Sequence, residues 1–132
     1  MQIVNVDDDP DDREMFCRAI KKISHDILCT QVESGEDAVH FFSKSEFSPD
    51  FIFMDINMPR MNGYECVKEI YQFANLRNTT IVMHSSSFNP RDQVEFGILG
   101  LQYLLKTSNL NALAESIRKL IQLKLLEETQ RT

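Results

Sequence analysis

The sequence predicts an α/β protein, a doubly wound, five-stranded parallel sheet covered by helices on both faces. Three observations predict this class. Short apolar runs recur along the chain, helix-capping residues stand between them, and polar side chains follow several of the runs. A length of 132 residues fits one domain, so we expect residues 1–132 to form a single unit with a core at about 2–126.

Four nearly continuous apolar runs are predicted strands, at residues 3–6, 51–54, 81–83 and 101–105. Runs of this kind are typical of parallel sheets in which both faces are buried. A weaker segment at residues 27–32 alternates more between apolar and polar residues, which favours an edge strand.

The intervals between these strands open with residues that cap helices. Asp9-Pro10 predicts a first helix to about Ile23, because aspartate accepts hydrogen bonds from free backbone N–H groups and proline suits the first helical position. Further helices are expected to begin at Ser34, at Asn62, at Asn89, and at Ser108 or Asn109. The helix that begins at Asn62 should run to about residue 73, and the one that begins at Asn89 to about residue 98. Residues 127–132 remain as a short polar tail.

Charge balance and hydropathy exclude two classes of partner. The chain has 14 Lys and Arg against 20 Asp and Glu, a net charge of −6, so no basic face for direct DNA binding is expected. No apolar run approaches the ~18 residues of a membrane helix, and no signal peptide precedes the first strand. We expect a cytoplasmic protein with no membrane partner.

The three cysteines, Cys17, Cys29 and Cys66, show no CxxC spacing. An odd number without paired spacing favours reduced, buried thiols over a disulfide framework or a zinc site.

Polar residues follow the predicted strands at the places where a parallel sheet forms its binding crevice. Asp7 and Asp8 follow the first strand, Asp55 the third, Ser85 the fourth and Lys106 the fifth. Because the carboxyl ends of parallel strands share one edge of the sheet, we expect these side chains to converge.

Carboxylates, a hydroxyl and an ammonium group together suit phosphoryl chemistry. Three carboxylates offer hard oxygen ligands, which favour Mg²⁺ over zinc, and the metal would offset their mutual repulsion. Lys106 and Ser85 suit the oxygens of a phosphoryl group. Asp55 is the candidate acceptor, because a carboxylate can attack phosphorus when a metal neutralises the incoming charge.

Over essentially its whole length, the sequence resembles the receiver domains of response regulators, the phospho-accepting half of two-component signalling. The resemblance rests on Asp7-Asp8, on Asp55 followed by Met58-Pro59-Arg60-Met61-Asn62-Gly63, on Ser85, and on Tyr103 with Lys106. The segment that follows Asp55 is its most specific part. The form Lys106-Thr107-Ser108-Asn109-Leu110 is similar to stand-alone receivers of the phytochrome-associated type.

The resemblance implies a flavodoxin-like fold with strand order 2-1-3-4-5 and a site that depends on Mg²⁺. It implies that Asp55 accepts a phosphoryl group from a phosphohistidine. Asp8, Asp55 and the backbone carbonyl of Asn57 would bind the metal directly. Asp7 would assist through water, and Lys106 would pair with the phosphoryl oxygens.

The resemblance also implies a switch and its partners. Ser85 would move toward the phosphoryl group and Tyr103 would swing inward, which would remodel the face of the fourth helix, fifth strand and fifth helix. The donor would be a sensor histidine kinase or a phosphotransfer protein, and an unidentified protein would read the changed face. Such a domain is not a conventional enzyme, although it catalyses its own phosphorylation and dephosphorylation.

Two features depart from the family pattern. Thr107 stands where receiver domains usually carry proline, which leaves the preceding peptide bond trans, or cis and strained. Leu99-Gly100-Leu101 replaces the usual Gly-Ala before the last strand, so the fourth helix is expected to end differently.

Three other functions compete with this interpretation. A receiver fold that serves only as an interaction module is the main alternative, although it usually lacks the acceptor, the acidic pair or the lysine. A phosphatase of the haloacid-dehalogenase type matches Asp7-Asp8-Asp9 but needs threonine or valine in place of Asp11. A calcium-binding EF-hand loop fails because Arg18 occupies its twelfth position.

Simpler roles are expected for several neighbouring residues. Asp9 should cap the first helix, and Asp11 and Asp12 should complement its positive end. His84 is expected to be a buried histidine with satisfied hydrogen bonds.

The choice of hydroxyl is ambiguous, because Ser86 and Ser87 follow Ser85 directly. The register of the predicted strand favours Ser85.

Overall fold

Five parallel strands alternate with five helices along residues 1–130, the part of the chain that the computed structural model describes. In chain order the elements are β1 (Gln2–Val6), α1 (Pro10–Ile23), β2 (Leu28–Val32), α2 (Gly35–Lys44), β3 (Phe51–Asp55), α3 (Gly63–Ile70), β4 (Thr80–Ser85), α4 (Pro90–Leu99), β5 (Gln102–Leu105) and α5 (Leu110–Gln130). The strand order is β2-β1-β3-β4-β5, which confirms the predicted fold. No helix within these residues is long and apolar enough to cross a membrane.

The core consists of two apolar layers, one on each face of the sheet. On the first face, α1 and α5 pack their buried residues against β1, β3 and β4, including Phe16, Ala19, Ile20, Leu113, Ile117 and Ile121. On the second face, α2, α3 and α4 contribute Ala38, Phe42, Cys66, Val67, Ile70 and Phe96. All five residues of β3 are buried, as expected for a central strand with helices on both sides.

The predicted capping residues begin the helices. Asp9 accepts hydrogen bonds from the backbone N–H groups of Asp11 and Asp12 at 2.8 and 3.3 Å. The other helices begin with side-chain caps at Ser34, Asn62, Asn89 and Asn109, of which Asn62 and Asn89 form complete capping boxes. The last helix therefore begins after Asn109 and not after Ser108.

The third helix ends earlier than the sequence predicts, whereas the fourth ends within one residue of the predicted position. The third helix stops at Ile70, and a single 3₁₀ turn (Ala74–Leu76) follows it. The fourth ends at a left-handed residue, Gly100, with φ of 68°, and the next N–H, that of Leu101, donates to the Phe96 carbonyl at 2.8 Å.

The predicted polar tail is helical as far as the structure describes it. Helix α5 runs through Gln130, because glutamate and glutamine are compatible with a continuing helix. Residues 131 and 132 lie outside the described part of the chain. Within α5, Lys124 Nζ donates to the backbone carbonyl of Asp50 and lies 4.8 Å from the centre of the Phe51 ring. These contacts anchor the second half of the helix to the start of β3.

The fifth strand is less buried than its apolar sequence predicts. Tyr103 and Leu105 are 47% and 56% exposed. The reason is its position, since β5 is an edge strand with a neighbour on one side only. The other edge is β2, and its prediction as an edge strand is confirmed.

Candidate functional site

The carboxyl ends of β1 and β3 carry a cluster of three carboxylates. One oxygen from each of Asp7, Asp8 and Asp55 lies within 4.8 Å of the others. Asp7 and Asp55 are buried, whereas Asp8 is exposed. The backbone N–H of Asp7 donates to the Val32 carbonyl at 3.1 Å, which fixes the end of β1 against β2. The structure therefore brings these predicted carboxylates together.

Lys106 enters the cluster from the end of β5. Its backbone N–H donates to the Ser85 carbonyl at 2.7 Å, which extends the β4–β5 pairing by one residue. Its Nζ lies 2.8 Å from Asp7 Oδ2, 2.9 Å from Asp12 Oδ2 and 3.4 Å from Asp55 Oδ1. The ammonium group thus balances part of the negative charge.

The residues after Lys106 connect β5 to α5 without a cis peptide bond. The Lys106–Thr107 peptide bond is trans. The Thr107 hydroxyl accepts a hydrogen bond from the backbone N–H of Asn109 at 3.2 Å, which leads the chain into α5.

Asp12 contributes to this network, which the sequence did not indicate. It was expected only to complement the positive end of α1, but its side chain also accepts a hydrogen bond from Lys106 at 2.9 Å. The two residues are 94 positions apart, and the contact depends on where β5 ends relative to α1. A local sequence pattern carries no signal for such a contact. Asp11 is exposed, as expected for a residue with a purely local role.

Burial and repulsion within the cluster shift its protonation equilibria. Burial is the main cause that raises the pKa of Asp55 to about 6, and the negative charge of Asp7 adds to it. Burial also raises the pKa of Asp7, despite its hydrogen bond from Lys106. Burial disfavours the charged form of Lys106, but the hydrogen bonds to Asp7 and Asp12 outweigh it, so the lysine pKa is raised. The site holds more negative charge than one ammonium group balances, and a divalent cation fits such a donor set.

The loop after β3 brings the start of α3 against the backbone of Asp55. A Cβ atom at Gly63 would lie 2.3 Å from the Asp55 carbonyl oxygen, so this close approach requires glycine. The Gly63 N–H donates to the Ile56 carbonyl at 2.8 Å. Arg60 adopts a φ of 66° in the turn. Asn57, two residues after Asp55, is exposed in the same loop.

The two predicted switch residues lie in different environments. Ser85 is buried at the end of β4, whereas the two serines that follow it are exposed. Tyr103 is half-exposed on β5, and its ring centre lies 5.2 Å from that of Phe88 and 5.3 Å from that of Phe96. Ser85 thus ends the strand next to β3, one residue after the partner of Asp55, while the Tyr103 ring packs toward α4.

His84 corrects one expectation. It is buried as predicted, with ring centres of Phe16 and Phe53 at 6.1 and 6.3 Å. Neither ring nitrogen has a hydrogen-bond partner among the described residues, so the expectation of a satisfied histidine is wrong. Burial, helped by the nearby charge of Lys106, lowers the pKa of His84 to about 4, which keeps the ring neutral.

Comparison with known proteins agrees with this arrangement. A model of the response regulator receiver domain matches residues 3–118. The chain belongs to this family. The receiver domain is 31% identical over 117 residues to the transcriptional regulatory protein DegU of Brevibacillus brevis, which covers 85% of this chain and 48% of DegU. The chain thus spans about half the length of that relative.

Solved structures place the receiver domain among response regulators of the same fold. The Mn²⁺-bound form of response regulator Rcp1 matches with a TM-score of 0.76 at 26% identity, covering 89% of both chains. The bacteriophytochrome response regulator RtBRR matches with a TM-score of 0.74 at 25% identity, covering 89% of this chain and 75% of that one. The predicted family is confirmed, and so is its likeness to phytochrome-associated regulators. Receiver domains bind Mg²⁺ in an acidic pocket, and this domain has such a pocket.

Proposed function

We propose that this receiver domain accepts a phosphoryl group on Asp55 from a phosphohistidine, in a two-component system or phosphorelay. The observation that carries the proposal is the placement of Asp55. It is only 5% exposed, belongs to a cluster of three carboxylates, and lies 3.4 Å from Lys106 Nζ. Membership of the receiver family supports the same assignment.

The proposed reaction uses Asp55 in its ionised form. A carboxylate oxygen forms a bond to phosphorus while the bond between phosphorus and the histidine nitrogen breaks, and the imidazole departs and takes up a proton from water. With a pKa raised to about 6, the carboxylate is still mostly ionised at neutral pH. The close contact between Gly63 and the backbone of Asp55 holds the acceptor in position.

The donor set fits a divalent cation. Asp8, Asp55 and the backbone carbonyl of Asn57 are the proposed direct ligands, and Asp7 acts through water. Bound Mg²⁺ would offset the charge of the phosphoryl oxygens near three carboxylates. The Mn²⁺ recorded in the Rcp1 structure supports a cation of this kind.

Lys106 is the proposed partner of the phosphoryl oxygens. Its Nζ already contacts Asp55, and it also bonds to Asp7 and Asp12. A phosphoryl group on Asp55 would compete for those hydrogen bonds with more charge and more acceptor oxygens than a carboxylate has.

Ser85 and Tyr103 are the proposed switch. Ser85 ends the strand next to β3, where its hydroxyl would bond another phosphoryl oxygen. Tyr103 would then move inward from its place beside Phe88 and Phe96. The result would be a changed surface on α4, β5 and α5 for a downstream protein.

The proposed partners are a sensor histidine kinase or phosphotransfer protein as donor and a further protein as target. The net charge of −6 supports the absence of direct DNA binding. A cytoplasmic location belongs to the same proposal, and residues 1–132 are proposed to form one receiver domain.

The proposal is tested by incubating the protein with Mg²⁺ and acetyl phosphate and measuring the intact mass. The expected adduct is about 80 Da, the mass of one phosphoryl group. It should be absent from Asp55→Asn and without Mg²⁺. It should persist in Asp11→Asn, which removes an exposed carboxylate outside the cluster. An adduct that persists in Asp55→Asn would refute the acceptor, and no adduct in any condition would favour a pure interaction module.

A further inference from the structure

Two of the three cysteines lie side by side, away from the acidic cluster. Cys17 is on α1 and Cys29 is on the edge strand β2, and their Sγ atoms are 2.7 Å apart. Both are free thiols and both are partly exposed, whereas Cys66 is buried in the opposite apolar layer. The sequence predicted reduced, buried thiols, because a separation of twelve positions between Cys17 and Cys29 matches no recognisable spacing.

The surroundings of this pair favour a reactive thiolate at Cys17. The hydrogen bond with Cys29, the hydrogen bond from Gln31 Nε2 at 3.2 Å and the charge of Lys21 together lower the pKa of Cys17 to about 7, against the opposing effect of burial. The pKa of Cys29 is raised by the same hydrogen bond and by burial. One sulfur of the pair is therefore a nucleophile near neutral pH, and its neighbour keeps its proton.

We propose that Cys17 and Cys29 form a reversible redox site, in which a hydroperoxide converts the two thiols to an intramolecular disulfide. The Sγ atoms are already closer than any two sulfurs in ordinary contact, and only a small approach separates them from the roughly 2.05 Å of an S–S bond. The two cysteines belong to α1 and β2, which contact each other, so the bond would join elements that are already neighbours.

The proposed oxidation takes place in two steps. The Cys17 thiolate attacks the terminal peroxide oxygen and the O–O bond breaks, so that Cys17 becomes a sulfenic acid and the departing hydroxide or alkoxide takes a proton from solvent to give water or an alcohol. The Cys29 sulfur then attacks the Cys17 sulfur, its proton joins the departing hydroxide as water, and the S–S bond forms. A dithiol reductant reverses the reaction by thiol–disulfide exchange.

The disulfide would tie the edge strand to the first helix. It would close the segment 17–29, which contains the whole turn between α1 and β2. Closing a loop restricts the unfolded chain, so the oxidised protein should melt several degrees above the reduced one. The acidic cluster lies beyond the carboxyl end of β1, whereas Cys29 pairs with Ile3 near the beginning of that strand, so the two sites are separate.

The test treats the folded full chain with one equivalent of hydrogen peroxide, removes the peroxide, unfolds the protein in urea with iodoacetamide to block the remaining thiols, and maps the peptides by mass spectrometry. The expected product has lost two hydrogen masses, links the peptides of Cys17 and Cys29, and carries one alkyl group on Cys66. Dithiothreitol should restore three alkylation sites. Cys66 is an internal control, because burial raises its pKa to about 12.

Variants separate the proposed link from other oxidation. Cys66→Ala should form the same link, whereas Cys29→Ser should stop at an oxidised Cys17 without a link. Alkylation of all three thiols after peroxide, a link to Cys66, or a disulfide between two chains would each overturn the proposal. The wild-type peptide map decides the matter even where a variant folds poorly.

Discussion

Replacing Asp55 by asparagine should stabilise the metal-free protein, by an amount that depends on pH. Burial and the charge of Asp7 raise the pKa of Asp55 from 3.8 to about 6. An acid with a raised pKa in the folded state destabilises that state above the folded pKa, and the penalty disappears as the pH falls below the unfolded value. One pKa unit corresponds to about 1.4 kcal/mol, so the ionised carboxylate costs about 3 kcal/mol.

The expected result is a stability gain of Asp55→Asn over the wild type that grows as the pH rises. The stability gain of Asp55→Asn is its free energy of unfolding minus that of the wild type, both with EDTA present. This gain should be larger by about 3 kcal/mol at about pH 7.5 than at about pH 3.5. Urea unfolding at a series of pH values measures this difference. Asp11→Asn is the matched control, because it removes an exposed carboxylate from the first turn of α1. A difference that is constant with pH, or that grows as the pH falls, would refute the reasoning.

Three further predictions address the metal, the lysine and the backbone. Mg²⁺ at a hundred times its Kd should stabilise the wild type by about 2.7 kcal/mol in a thermal melt, and an Asp8→Ala variant that kept this gain would contradict the ligand assignment. Lys106→Met should lower the free energy of unfolding in EDTA by about 3 kcal/mol, because it leaves buried carboxylates unpaired, and Mg²⁺ should restore stability. The control is Lys119→Met, which changes an exposed lysine. Equal urea midpoints for the two variants would contradict this prediction. Gly63→Ala should cost about 3 kcal/mol through its clash with the β3 backbone, whereas Gly97→Ala, which meets open space among the described residues, should gain about 0.5–1 kcal/mol. Similar urea stabilities for the two alanine variants would contradict that contact.

The central strands and the helix starts could be predicted because their causes are local. Continuous apolar runs marked β1, β3 and β4, and single capping side chains such as Asp9 marked where helices begin. The exposure of β5 could not be predicted in this way, because its apolar residues do not reveal that it forms an edge. The extension of α5 was missed for a related reason, since polar residues at the end of a helix resemble a tail.

The acidic cluster could be predicted from the rule that strand ends converge in a parallel sheet. Asp7, Asp8, Asp55 and Lys106 each stand at the end of a strand or just after it, and the structure brings them together. The bond from Lys106 to Asp12 could not be predicted, because it depends on the three-dimensional path of β5 relative to α1. The unpartnered nitrogens of His84 were missed for a similar reason, since the sequence shows burial but not which groups surround a ring.

The inner position of β1 has a consequence for synthesis of the chain. This strand is made first, yet it lies between β2 and β3, so its second edge stays unpaired until residue 55 has been made. During that interval an apolar segment with strong strand character is open to association with other chains. The aspartates that follow it directly would act in the nascent chain as gatekeepers against aggregation, before any metal or phosphoryl site exists.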